Sequence, residues 1–196
     1  VIVYIKSKIQ TKQYQFMFNL THITLGSFFH LKEDQAAKYL QLQEVMKTDD
    51  VFLRRKAKPL GQLTFGEVSQ IKRAFIKPSY ENLLECFKIV FKVKESAYLK
   101  SDIIQYFYAL NWIKAEVLLL MEKEKMLVPD PDPDLEMAGV KKLSMFGEMS
   151  TLINLAQKFS TSPMVIETWN YNTVFTILLY QKLEGEVSKA YNNIKK

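Results

Sequence analysis

The apolar positions of this chain fall into one stretch with a period of two and several with the 3–4 spacing of helices. Tyr14, Phe16, Phe18 and Leu20 alternate with Gln15, Met17 and Asn19, the pattern of a strand with one apolar face. Val1 to Ile5 is rich in β-branched residues and suits a partner strand across the polar stretch from Lys6 to Gln13. A lone hairpin is marginal in water, so this ribbon needs a helical body or another subunit to lie on. Residues 1–30 therefore read as an N-terminal arm, with Tyr14, Phe16, Phe18 and Leu20 as its candidate intersubunit contacts. Residues 31–62 read as a weak helix, carried by Ala36, Ala37, Leu40, Leu42 and Val45, followed by a basic linker that Pro59 and Gly61 close.

From residue 63 to 196 the pattern is helical throughout. Thr64 with Glu67 three positions on forms a capping box for a helix to about Ile76. Ser79 caps the next, in which Leu83, Leu84, Phe87, Val90 and Phe91 recur at helical spacing and Cys86 sits among them as a core thiol. Ser101-Asp102 opens the longest helix, residues 101–127, roughly 26 residues and 39 Å at 1.5 Å each, which should be the central strut. Alternating Pro and Asp over 129–134 cannot be helical and form a stiff spacer. Asp134 then caps a helix running through Leu143, Phe146, Met149, Leu152, Ile153 and Leu155 to Phe159. Ser162-Pro163 starts a short helix, and Asn170 or Asn172 begins the last, with Val174, Phe175, Ile177, Leu178, Tyr180, Leu183 and Val187 as its stripe.

Within this body a phrase recurs. Phe65-Gly66-Glu67-Val68-Ser69 returns as Phe146-Gly147-Glu148-Met149-Ser150, defining repeat-like units 63–93 and 143–192. Phe65 to Tyr80 spans 15 positions and Phe146 to Tyr171 spans 25, so the echo is either two versions of one helix–turn–helix or coincidence. The fold class expected is mainly α: a multi-helix bundle with two helix-turn-helix units around a long central helix, plus the extended N-terminal arm.

Composition narrows the function. Six glycines and six prolines in 196 residues argue against a loop-rich β-sandwich. One cysteine cannot form an internal disulfide and fits a reducing compartment. No apolar run approaches the roughly 20 residues of a membrane span, and Lys6 and Lys8 interrupt the opening apolar stretch before a secretion signal can form. The net charge is +6, unevenly placed. Residues 1–80 hold 13 Lys/Arg against 6 Asp/Glu, and residues 81–196 hold 14 against 15.

Motifs for chemistry are missing. No Gly-rich phosphate loop occurs. His22, His30, Glu33 and Asp34 lack the close spacing of a structural zinc site, and Cys86 on an apolar helical face does not read as a nucleophile. The acids of 130–134 lack the glycine turn and terminal glutamate of a calcium loop, and Glu122 with Glu124 reads as an exposed charged stretch. No catalytic residue, cofactor or metal is expected. Arg54, Arg55, Lys56 and Lys58 are the candidate polyanion contact, without a recognised nucleic-acid motif around them. Trp112, Trp169, Tyr106, Phe107 and Tyr108 supply core packing, or anchors toward a neighbouring subunit.

Leu63-Thr64-Phe65-Gly66-Glu67, Lys77-Pro78-Ser79-Tyr80-Glu81-Asn82-Leu83-Leu84, Ala156-Gln157-Lys158-Phe159, Ser162-Pro163 and Trp169-Asn170-Tyr171 resemble, in texture and spacing over residues 63–192, small helical assembly proteins of tailed bacteriophages. These are the tail-assembly chaperones and the ring or connector proteins of the neck. The resemblance implies a non-catalytic virion part, a homo-oligomer in a ring that contacts other virion proteins in the particle or the host cytoplasm. The arm favours a ring protein, since arms lace neighbours by strand addition. The alternatives are a basic nucleic-acid-binding module and a tail-assembly chaperone not retained in the virion.

Overall fold

A computed structural model describes residues 23–128 and 136–194. Tyr14, Phe16, Phe18, Leu20, the spacer 129–134 and the cap expected at Asp134 lie outside the described residues. The chain runs from α1 (Leu25–Phe28) and α2 (Glu33–Gln43) into a hairpin, β1 (Val51–Phe52) and β2 (Arg55–Lys56). Then come α3 (Phe65–Ile76), α4 (Tyr80–Phe91), α5 (Glu95–Leu99) and α6 (Ile103–Glu124). A 3-10 segment Val140–Phe146 leads to α7 (Glu148–Lys158), α8 (Pro163–Glu167) and α9 (Tyr171–Ile194). The protein is a mainly helical bundle, and among the described residues the hairpin is its only sheet.

The caps read from sequence form. Thr64 Oγ1 accepts from the Glu67 amide at 3.2 Å, and Glu67 Oε2 accepts from the Thr64 amide at 2.9 Å, closing the box. Ser79 caps α4, Ser162 caps α8 ahead of Pro163, and Asn170 accepts from the amides of Asn172 and Thr173 to start α9. Helix α6 is 22 residues long and finishes in a 3-10 turn, Lys125–Leu127.

One expectation needs correction. The helix expected through Leu143 to Phe159 is broken: a 3-10 segment ends at Phe146, and Gly147 turns the chain with φ +50° before α7 begins. Only glycine takes that backbone readily. The two Phe-Gly-Glu phrases are therefore set differently, since Gly66 lies inside α3 while Gly147 precedes α7.

A true structural repeat lies at another register. Helices α5 and α8 are equal in length, and each boundary recurs 68 positions on: Glu95–Leu99 and Pro163–Glu167, then caps Asp102 and Asn170. The left-handed residues Lys92 and Ser160, φ 55° and 50°, obey the same shift. So do the buried pairs Leu84/Leu152, Phe87/Leu155, Tyr98/Ile166, Ile103/Tyr171 and Tyr106/Val174.

Each copy receives a threonine-capped helix in the same way. Thr24, the cap of α1, pairs with Asp102 through Leu25 N–H to Ser101 O at 2.8 Å and Ile103 N–H to Ile23 O at 3.0 Å. Thr64, the cap of α3, pairs with Asn170 through Phe65 N–H to Trp169 O at 2.8 Å and Tyr171 N–H to Leu63 O at 2.9 Å. The sequences Ile23-Thr24-Leu25-Gly26 and Leu63-Thr64-Phe65-Gly66 share the residue types this needs. A Cβ on Gly26 would stand 3.2 Å from Leu99 O, and one on Gly66 3.4 Å from Glu167 O, again 68 apart. Close approach of the two caps selects glycine at the first site.

One core joins these parts. Phe52 of the hairpin is fully buried against Phe87 and Phe91, with ring centroids 4.8 and 5.5 Å away. Tyr98 and Tyr106 pack on Phe87 at 5.2 and 5.1 Å. Cys86 is buried, and its thiol is pushed up to about 12 by that burial. Among the described residues no helix is long and apolar enough to cross a membrane.

Candidate functional site

Among the described residues, four ionisable side chains joined by hydrogen bonds lie where α3, α6, α7 and α9 meet. Lys72 on α3 donates to both carboxylate oxygens of Glu124 at 2.9 Å and to Glu148 Oε1 at 2.9 Å. The Tyr171 hydroxyl donates to Glu124 Oε1 at 2.6 Å. Glu124 ends the buried stripe Tyr106, Leu110, Ile113, Val117 and Leu120 at the next step of four. The reading of Glu122 and Glu124 as an exposed pair is thus half wrong: Glu122 is exposed, while Glu124 is turned inward by its place on the stripe. The signal was present in its spacing.

The electrostatics are those of a clasp. Burial works against the Lys72 ammonium, but hydrogen bonds to Glu124 and Glu148 and their charges override it and raise its pKa. Burial favours a protonated Glu148, yet the hydrogen bonds from Lys72 and Ser69 and the charges of Lys72 and Arg73 prevail and lower it. Burial, with Glu124 as acceptor, pushes the Tyr171 phenol well up. These shifts move away from neutrality, whereas a proton-transfer group is tuned toward the working pH. The ions are locked.

Beside the clasp runs an open groove of about 480 Å³, lined by Phe65 and Gly66 from one phrase and Phe146, Glu148 and Met149 from the other. The repeated words of the sequence face each other across it.

The sequence-predicted basic residues lie elsewhere. Val51 pairs with Lys56 and Phe52 with Arg55, leaving Leu53-Arg54 as a two-residue turn with φ 50° and 63°. Both positions positive is the I′ turn that normally selects Asn-Gly. The Arg55 guanidinium donates to the carbonyl of Lys92 at the end of α4, and Lys58 N–H donates to Val90 O at 3.2 Å. The hairpin thereby brings Arg54, Arg55, Lys56 and Lys58 beside Lys88, Lys92 and Lys94, three lysines that sequence reading did not join to them. Helical spacing alone carries no hint of that meeting. Lys56 pairs with Asp50 at 3.6 Å, Lys88 with Glu85 at 2.7 Å and Lys92 with Glu67 at 3.9 Å.

His30, Glu33 and Asp34 are exposed, His22 lies outside the described residues, and among those described no group of His, Cys, Asp and Glu is placed to hold a metal. Comparisons with protein-family models, with characterised proteins and with solved structures find no match.

Proposed function

We propose that this chain is a non-catalytic assembly part of a tailed-phage particle, a neck or tail ring component that multimerises by gripping further copies of itself. The phage setting rests on the resemblance of residues 63–192. The multimer rests on the distal half of α9.

There Tyr180, Leu183, Val187, Ala190 and Ile194 follow a 3-4-3-4 spacing, the seam of a helix that packs lengthwise on another. Tyr180, Leu183, Val187 and Ile194 are 63%, 50%, 69% and 83% exposed. An apolar seam kept this open is uncommon in a monomer. Lys182 and Lys189 balance Glu184 and Glu186 on the same stretch, so a second copy of this helix meets no net repulsion. That makes the same chain the occupant of choice, and a particle or its host's reducing cytoplasm the setting in which Cys86 stays a thiol.

Size-exclusion chromatography with light scattering tests this directly. Wild type should run as a defined multimer, and Leu183→Glu/Val187→Glu as a folded monomer of 22.9 kDa. A wild-type monomer at high concentration, or a double variant that still multimerises, would sink the reading.

A further inference from the structure

We infer that the hairpin tip and the end of α4 form one basic platform that binds the phosphodiester backbone of double-stranded nucleic acid. The platform joins two acid-free stretches, residues 54–58 with four cations and residues 88–94 with three. Arg55 and the backbone of Lys58 tie them together.

The internal repeat supplies a control. The turn after α4 recurs after α7 with the same left-handed residue, Ser160 in place of Lys92. At the positions equivalent to Lys88, Lys92 and Lys94 the second copy carries Ala156, Ser160 and Ser162. The turn therefore forms without lysines, and their presence in the first copy is not demanded by the backbone.

Strain points the same way. Arg54 holds φ 63° beside Leu53 at 50°, where asparagine and glycine are the comfortable choices. Single left-handed residues such as Lys92 and Ser160 end helices, but two in succession where Asn-Gly would serve point to a demand other than folding. The result is a short, stiff tip, anchored by buried Phe52, that presents an arginine to solvent.

The partner's chemistry follows from what is exposed. Phe52, Ala57, Val90, Phe91 and Val93 interleave with the cations and all are buried; on the hairpin only Val51 is an exposed large apolar residue. A protein partner needs an apolar centre to its interface, and base reading needs exposed aromatics, or a recognition helix or β-ribbon long enough to fill a groove, which strands of two residues are not. A phosphate backbone needs neither; charge and donors suffice. Three of the seven cations already face carboxylates and Arg55 serves a carbonyl. Arg54, Lys58 and Lys94 carry the contact.

Fluorescence anisotropy of the full chain with a labelled 20-base-pair duplex tests this, with poly-glutamate as competitor. Three phosphate contacts give a log–log salt slope of roughly −3, at about −0.9 each. Arg54→Glu/Lys58→Glu/Lys94→Glu should weaken binding by at least about 100-fold at low salt. Lys32→Glu/Lys38→Glu/Lys158→Glu, an equal change of net charge on other exposed sites, should stay within about threefold. Arg54→Gly separates binding from folding: it should raise the melting temperature by a few degrees (about 4 °C) while weakening binding. Equal loss in the two triple variants, a salt-independent signal, no binding at all, or poly-glutamate binding as tightly as the duplex would each overturn the inference. The last of these would assign the platform to an acidic protein.

Discussion

The two copies of the helical unit share a skeleton and differ in what fills it. In the first, Phe87, Phe91, Tyr98, Tyr106 and Phe107 make an aromatic cluster, and the hairpin drives Phe52 into it. In the second, the positions of Phe87, Tyr98 and Tyr106 hold Leu155, Ile166 and Val174. Among the described residues no hairpin covers this copy, and Phe159, the counterpart of buried Phe91, is 44% exposed against Trp169. What the second copy lacks in apolar area it makes up with direction. Glu148 at the start of α7 and Tyr171 at the start of α9 are its two holds on the clasp. One copy is kept by area, which is non-directional and titrates only in alkali, where its buried Cys86, Tyr98 and Tyr106 must ionise; the other is kept partly by charge, which is directional and titrates at both extremes.

The largest effect should fall on the aromatic copy. Phe87→Ala is expected to cost about 3–5 kcal/mol, as deletion of a fully buried ring does, and Leu155→Ala about 2–4 kcal/mol. Chemical denaturation of the two variants measures both. If Leu155→Ala costs more than Phe87→Ala, the aromatic cluster is not where the stability lies.

The clasp comes next. Glu124→Ala leaves the Lys72 ammonium with one carboxylate and the Tyr171 hydroxyl with none, an expected loss of about 2 kcal/mol. Glu124→Gln should cost less, since its amide oxygen still accepts. The pH dependence has a definite sign. Glu148 has its pKa lowered from 4.5 on folding, so its contribution is present above that value and is lost as pH falls through the folded pKa. Lys72 is raised from 10.5 and Tyr171 from 10.0. For both the unfolded state loses its proton first, so their contributions are complete at neutral pH and decline in alkali. Melting temperatures across pH should fall at both extremes; in Lys72→Met the acid slope should flatten, and the alkaline slope only in part, because buried Cys86, Tyr98 and Tyr106 also resist ionisation. An unchanged acid slope would mean that the clasp contributes nothing.

This contrast also marks what could be read from the chain alone. Helix starts were legible because capping is local: Thr64, Ser79, Asp102, Ser162 and Asn170 each satisfy amides two or three residues away. The phrase of identical residues, Phe-Gly-Glu, is set differently in its two places. The real register of the repeat conserves burial and caps, with Tyr98 answered by Ile166 and Lys92 by Ser160. Identity of residues is the wrong probe for a fold that asks only for apolar volume and a turn. The clasp and the basic platform were hidden for a second reason. Lys72 and Glu124 are 52 positions apart and Arg55 and Lys92 are 37 apart, and no local pattern links such pairs.

The smallest prediction turns the comparison on one atom. The Tyr98 hydroxyl is buried among Tyr106, Tyr80 and Cys86; the Tyr106 hydroxyl interacts with it, but among the described residues no group meets it at full hydrogen-bond geometry. A buried hydroxyl left unpaired costs free energy, and removing it with the ring intact recovers some of that cost. The second copy makes the point independently, because Ile166 fills the equivalent position with no polar atom at all. Tyr98→Phe should therefore stabilise the protein by up to about 1 kcal/mol, read as a higher denaturation midpoint with an unchanged slope. A loss of similar size would show that the hydroxyl is held by the Tyr106 oxygen. In that case the first copy would have a directional tie of its own, and the division between area and charge would give way to a difference of degree.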